Sequence, residues 1–446
     1  MKQTLLMIAL TLAGTVGVLF NGPFIALAVY YLYGVLRPQY LWRWALSWGV
    51  TWSEYVAWAA ILGTLGHLMN SSLDAGASHT RRFAFGHAAY VMFGLWLVIT
   101  YFTALDQDQA YMWMIDYVKI FTMFGVAAIV VTNLRQVWTL YLIATGALIY
   151  IAYELNFVYF TDGRVDIYRN GYGGLDNNGA GLMLAMGLPL TIYAWEATRQ
   201  WWRWIFAAGV PLLIHAVLMS YSRGAMVSLL VTAPLVMLRS RRRWQFLAMF
   251  IAIALVVPAL AGREIRDRFF TIQDYENDRD ANLRFNSWMA AVRIANEYPV
   301  FGAGIRNANL VSFQYGADMD GRTIHSQYLQ TLADNGYVGL ALYLLALGSA
   351  WVAIIRSRRA LKNRTDPDAL LHRSITSGIE GSLAVFCVGA VFLSLEVFEL
   401  PYLLGLLSIQ SWVIARAAVS SETAETEAQT LTKLPSTPGR LQEAKL

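Results

Sequence analysis

Charge is what this sequence has least of. Only 14% of its 446 residues are Asp, Glu, Lys or Arg, against roughly 25% in soluble domains. So few charges cannot clothe an ordinary water-facing surface. Lysine is scarcer still, five against 29 arginines. Cysteine occurs once, as Cys387 inside the apolar stretch "SLAVFCVGAVFLSL", which excludes a disulfide framework and a thiolate metal site. No internal repeat is visible. What is abundant is apolar: 57% of the chain is hydrophobic and 14% aromatic. Runs of about 17–25 apolar residues, each enough to cross a hydrocarbon core of about 30 Å, recur along nearly the whole length. The reading is an all-α integral membrane protein. The net charge of +5 carries no nucleic-acid signal, because the basic residues sit in short clusters between apolar runs, as the positive-inside rule produces.

The spans read as about 84–104, 113–131, 137–155, 176–196, 204–221, 223–238, 245–261, 326–355, 374–395 and 401–417. "RSRRR" (239–243) and "RSRRALKNR" (356–364) are expected in the cytoplasm, which places 262–325, "DQDQ" (106–109) and 156–175 on the other side. Residues 1–83 leave two readings open. If 4–20 and 23–36 both cross, with a turn at "NGP" (21–23), then Arg37, Arg43, Arg81 and Arg82 are all cytoplasmic and 44–68 is re-entrant or interfacial. If 4–36 is one tilted helix, 44–68 crosses instead. Either gives about twelve transmembrane helices with both termini inside. The N-terminal apolar run reads as a retained anchor, and the tryptophans at 42, 44, 48, 52, 201, 202 and 204 as interface belts. The chain thus divides into membrane segments of uncertain topology (1–83), transmembrane helices (84–261), one large external loop (262–325), C-terminal helices (326–417) and a polar tail expected to be disordered (418–446).

The polar residues concentrate in a few places. The loop 262–325 carries eight arginines (263, 266, 268, 279, 284, 293, 306 and 322), no lysine and nine acidic residues. Arginine's planar fork grips phosphate oxygens in pairs, so this composition fits a phosphate or diphosphate ligand, while many of the arginines must pair locally. Arg223, in "HAVLMSYSRGAMVSLLV", stands between two apolar runs with almost no loop. A charge at that depth usually faces a polar cavity or a partner. "YRNGYGGLDNNGAGLML" (168–184) offers Asp176 and Asn178 beside glycines at the start of a span, which suits a hydroxyl-rich ligand or a helix cap. "SLEVFELPY" (394–402) puts Glu396 and Glu399 near an outer helix end, as glycan contacts or as partners for arginines. His325 ends the arginine-rich loop where an apolar helix begins. The helix N-terminus disfavours imidazolium, so a neutral ring that accepts a proton is expected near neutral pH.

Four stretches in this order, "GLDNNGAGLML", "SYSRGAMVSLL", "RFNSWMAAVRIANEYPVFGAGIRNA" and "HSQYLQTLADNGYVGLALYLL", resemble the O-antigen ligase superfamily over roughly 170–350. That superfamily holds lipopolysaccharide O-antigen ligases, O-antigen polymerases and protein O-oligosaccharyltransferases. The resemblance implies a GT-C-like fold in the inner membrane. It also implies transfer of a glycan from an undecaprenyl diphosphate carrier to an acceptor hydroxyl, lipid A-core or a growing glycan, at the periplasmic face, with no metal or other cofactor. His325 matches the family's essential loop histidine, Arg223 its Ser-Arg-Gly arginine and Arg284 the arginine preceding the tryptophan and "FGAG". Arg306 follows by proximity. A diphosphate leaves readily once arginines neutralise its charge, while the acceptor hydroxyl needs a base.

Three alternatives stand beside this reading. A metal-dependent glycosyltransferase would use the Asp-x-Asp pairs "DQD" (106–108) or "DRD" (278–280). A lipid-linked glycan flippase would carry ionisable residues near the midplane in pseudo-symmetric halves, whereas here the charge lies in one asymmetric loop. A polymerase would use the same donor and site, differing only in acceptor.

Overall fold

Gly22 takes φ +74° in the "NGP" step and turns the chain between two separate helices, α1 (Lys2–Asn21) and α2 (Phe24–Leu36). The structure, a computed structural model, describes residues 2–46, 50–73, 83–240, 242–245, 248, 279–395 and 397–432. After α2 come α3 (Pro38–Leu41), α4 (Trp52–Leu73), α5 (Phe85–Phe102), α6 (Gln107–Val130), α7 (Leu134–Asp162), α8 (Asp166–Asn170), α9 (Asn177–Ala197), α10 (Arg203–Met219) and α11 (Arg223–Arg239). Then follow α12 (Arg279–Glu297), α13 (Ala308–Val311), α14 (Gln327–Ala360), α15 (Pro367–Gly389) and α16 (Glu399–Thr432). No strand occurs among the described residues, only an isolated bridge between Tyr172 and Leu175. The helix starts follow local chemistry. Asp106, Asn133, Asp176, Ser222, Ser326 and Asp366 each cap a helix by accepting a backbone N–H three residues on.

Seven of these helices are long and apolar enough to cross a membrane, namely α1, α5, α6, α7, α9, α14 and the first part of α16, and the chain is a multi-pass membrane protein. Helices α2 and α10 are apolar but shorter. Among the described residues the expected count of about twelve is therefore not reached on length and composition. Helix α11 has 17 residues, and α15 opens on the polar "PDALLHRS". Most of the expected span 245–261 lies outside the described residues, as do Arg81, Arg82, Trp48, Glu396 and the loop arginines 263, 266 and 268.

Helix α9 is the centre of one group of helices. Residues 179–187 along it are buried on all sides, and it packs against α7, α10, α11 and α15. Gly181 brings it close to Ser220 and Ser222, where a Cβ would collide with the serine hydroxyl. Helices α5, α14 and α16 pack into a second group, and α1, α2 and α4 into a third, joined to the first through α2 against α7.

Two features depart from the sequence reading. Helix α14 is broken at Gly336 (φ +71°, ψ −178°), and a strap from the loop threads over the break. Ala333 and Asp334 lose their helical partners there, and their carbonyls accept instead from the N–H groups of Ala303 (2.9 Å) and Gly304 (2.8 Å), while Tyr337 donates to Pro299 (2.9 Å). The α16 helix runs on to Thr432, into the tail expected to be disordered. Its "ETAETEAQT" stretch is rich in helix formers, and extending an existing helix needs no new nucleus.

Candidate functional site

The strap 298–308 and the first half of α14 enclose a small apolar core of Ala291, Ile294, Ala303, Ala308, Ile324 and Ala333, edged by Trp288, Tyr298 and Leu329. Fully buried Asp334 pins it, accepting from the Ala308 N–H at 2.9 Å and from Gln330 Nε2 at 2.9 Å. Asn307 ties the strap to the α5–α6 turn: its side chain accepts from Asp106 N–H at 2.5 Å and donates to the Asp106 carbonyl at 3.1 Å. This scaffold holds Arg306 (φ +59°) and His325 (φ +57°) in left-handed backbone, which Arg37 (φ +45°) and Tyr221 (φ +52°) also adopt. Such a conformation is strained for a side-chain-bearing residue and persists only where the surroundings hold it.

His325 is half-buried directly before the Ser326 cap of α14. Its pKa is pushed down to about 4, first by burial, then by the Arg284 charge, with Arg322 and Arg306 adding to this and Asp176 opposing it. The ring is therefore neutral at pH 7, as the sequence predicts. The larger causes are burial and arginine, not the helix end.

The chain ends around it converge on the segment 390–395. Gln327 donates its N–H to the Ala390 carbonyl (2.8 Å) and accepts from the Leu395 N–H (2.5 Å). Gly179, in the first turn of α9, faces Leu395, and Gly224, next to Arg223, faces Phe392. Phe392 in turn packs on Trp288, ring centroids 6.4 Å apart, one helical turn after Arg284. The N-termini of α9, α11 and α14 thus meet at one place, and three helix N-termini add partial positive charge to the arginines. Arg306 stacks over the Trp113 ring at 4.4 Å, which orients its fork without consuming its donors.

Not every predicted residue belongs here. Arg322 is held by Asp318 through a two-pronged pair (2.5 and 2.7 Å) and Arg293 by the Tyr315 carbonyl (2.8 Å), so these loop arginines are structural. Asp176 is exposed and uses Oδ1 to cap α9 (2.7 Å from Gly179 N–H), and Asn178 reaches its other oxygen at 3.4 Å. Asp106 likewise caps α6, accepting the Gln109 N–H at 3.0 Å. Asp278 of the other Asp-x-Asp pair and Glu396 lie outside the described residues. Glu399 is buried elsewhere, against Gly34 and Tyr30 of α2.

Arg37 bears on the two open readings of residues 1–83. The reading in which 4–20 and 23–36 both cross allows it to be cytoplasmic, yet one guanidinium nitrogen donates to the Gly173 carbonyl and the other to the Val397 carbonyl (3.3 Å). The end of α2 therefore sits on the His325 face. The positive-inside rule counts charges in short loops, and it does not see a guanidinium satisfied by backbone carbonyls. Asp334 was also missed, although a lone acid within an apolar helix, "TLADNGYVG", was a visible signal.

Residues 208–344, which hold Arg223, Arg284, Arg306 and His325, match the family described as O-antigen ligase. Comparison with curated proteins finds no match.

Proposed function

We propose, from the match of residues 208–344 to the O-antigen ligase family, that this membrane protein transfers a glycan from an undecaprenyl diphosphate carrier to a hydroxyl of lipid A-core. The reaction takes place at the periplasmic face of the bacterial inner membrane, in a GT-C-like fold. The observation that carries this is His325, half-buried and held in left-handed backbone directly before the Ser326 cap of α14, where the N-termini of α9 and α11 also converge.

In this mechanism the acceptor oxygen attacks the anomeric carbon from the face opposite the diphosphate. The new C–O bond forms as the bond to the carrier phosphate oxygen breaks, and configuration inverts. His325 takes the hydroxyl proton as general base. The electron pair leaves on the diphosphate, whose charge Arg223, Arg284 and Arg306 meet without a metal. An arriving diphosphate also neutralises the arginines that depress His325, so donor binding raises the basicity of the ring when it is needed. The charge of Asp176 acts in the same direction.

The test is transfer by purified protein, given carrier-linked glycan and lipid A-core in the presence of EDTA. Product that forms in EDTA and is absent with a folded His325→Ala variant is expected. Full activity of that variant would sink the assignment of the base. Loss in EDTA would return attention to Asp106 and Asp108. Longer carrier-linked glycan in place of modified lipid A-core would make the enzyme a polymerase with the same site.

A further inference from the structure

A cavity of about 670 Å³ opens beside the site between α2, α4, α6 and the start of α16. Two chain segments form a common wall with the His325 site. Arg37 lines the cavity and bonds Gly173, three residues before Asp176. Val397 and Glu399 line it just after Leu395, which bonds Gln327.

Glu399, at the head of α16, is 9% exposed and lines the cavity. Glu399 is seated by design of the backbone: a Cβ at Gly34 would collide with its carboxylate, so glycine makes room for it. Across the cavity Lys119 pairs with Glu54 (3.2 Å) and lies 3.7 Å from Asp116. Tyr30, whose phenol bonds Glu399, and Tyr40 line the cavity, as does Trp58, which is 63% exposed.

The charge balance decides what fits. The two cations are already engaged, Arg37 by the Gly173 and Val397 carbonyls and Lys119 by Glu54, and the carboxyl groups of Glu54, Asp116 and Glu399 share the lining, so a diphosphate gains little here. Sugars suit it. Carboxylates and amide or phenol groups pair with hydroxyls, and the flat faces of Trp and Tyr cover the C–H side of a pyranose ring while their polar edges stay hydrogen-bonded. The geometry points to this cavity as the binding site for the uncharged, hydroxyl-rich saccharide that accepts the glycan, next to but separate from the arginine-lined place for the diphosphate. The identification of the saccharide as acceptor rests on the transferase reading. The binding site itself does not.

Binding is measured on full-length protein in lipid nanodiscs with three probes: core oligosaccharide released from lipid A, repeat-unit glycan released from its carrier, and undecaprenyl diphosphate. The variants are Glu399→Gln, Glu54→Gln and Trp58→Ala, with His325→Ala as control. Trp58 and Glu54 are exposed enough that their replacement leaves the fold intact, which a thermal melt confirms. At least one saccharide is expected to bind wild type and to weaken at least tenfold in the cavity variants, with undecaprenyl diphosphate changed less than twofold. Saccharide binding unaffected by all three variants, no saccharide binding to wild type, or an equal loss of undecaprenyl diphosphate overturns the inference. If His325→Ala keeps full transfer while the cavity variants lose saccharide, the transferase mechanism falls and the cavity stands as a saccharide site.

Discussion

Two polar regions lie side by side on one face of this protein, and they are built from opposite materials. Around His325 the charged groups are mainly arginines, reinforced by the N-termini of three helices, and the single nearby acid, Asp176, is occupied in capping. Around Glu399 carboxyls outnumber cations and aromatic hydroxyls fill the gaps. The difference teaches how the proposed reaction would sort the two ends of its chemistry. Converging positive charge in a place of low dielectric suits a diphosphate, while hydrogen-bonding groups and ring faces suit a neutral glycan.

The sharpest way to break this contrast is at His325. His325→Ala is expected to lower the initial transfer rate by about 10²- to 10⁴-fold, the usual contribution of a general base, with carrier binding retained. Rates within tenfold of wild type would mean that the base lies elsewhere.

Next come the arginines. Arg284→Ala and Arg223→Ala should each cost about 10²–10³ in kcat, as the removal of one preorganised donor to a developing anion does, and weaken undecaprenyl diphosphate without touching saccharide binding. Arg306→Lys is expected to recover little, because lysine keeps the charge but loses the planar stack on Trp113.

A smaller effect tests the scaffold that holds the arginine side alone. Gly336→Ala places a Cβ against the Val300 carbonyl at φ +71°, and should destabilise by more than about 1 kcal/mol, read as a lower melting temperature with undisturbed saccharide binding.

The smallest effect is on pH. His325 has a folded-state pKa near about 4, below the ordinary value of about 6.5. Its neutral form therefore stabilises the protein above pH about 6.5, and that contribution is lost as pH falls toward about 4. The acid limb of kcat/KM for the free enzyme should accordingly fall below the ordinary histidine range. Arg284→Gln should move that limb upward, since it removes a charge that depresses the ring. A limb at 6.5 in both proteins would contradict the electrostatic account.

Much of this was legible in the residues. Hydropathy identified most of the helices because the 20-odd apolar residues that cross a bilayer are contiguous. Capping side chains set their starts because a cap acts within three residues. The loop arginines and His325 stood out as polar groups in an oily chain. Other features could not be read, because they exist only between distant segments. Arg37 joins the His325 face through a bond to Val397, 360 residues away. The break at Gly336 has meaning only because the strap from residue 299 to 304 takes up the freed carbonyls. Glu399 shares its cavity with α2, α4 and α6, which no local signal places near it. The sequence by itself determined a membrane-spanning helical protein with an arginine-rich loop ending on a histidine, since these follow from short-range composition. Which arginines face that histidine, and which carboxyl lies in the neighbouring cavity, was decided by packing, since a contact free energy depends on distance in space and not on separation along the chain.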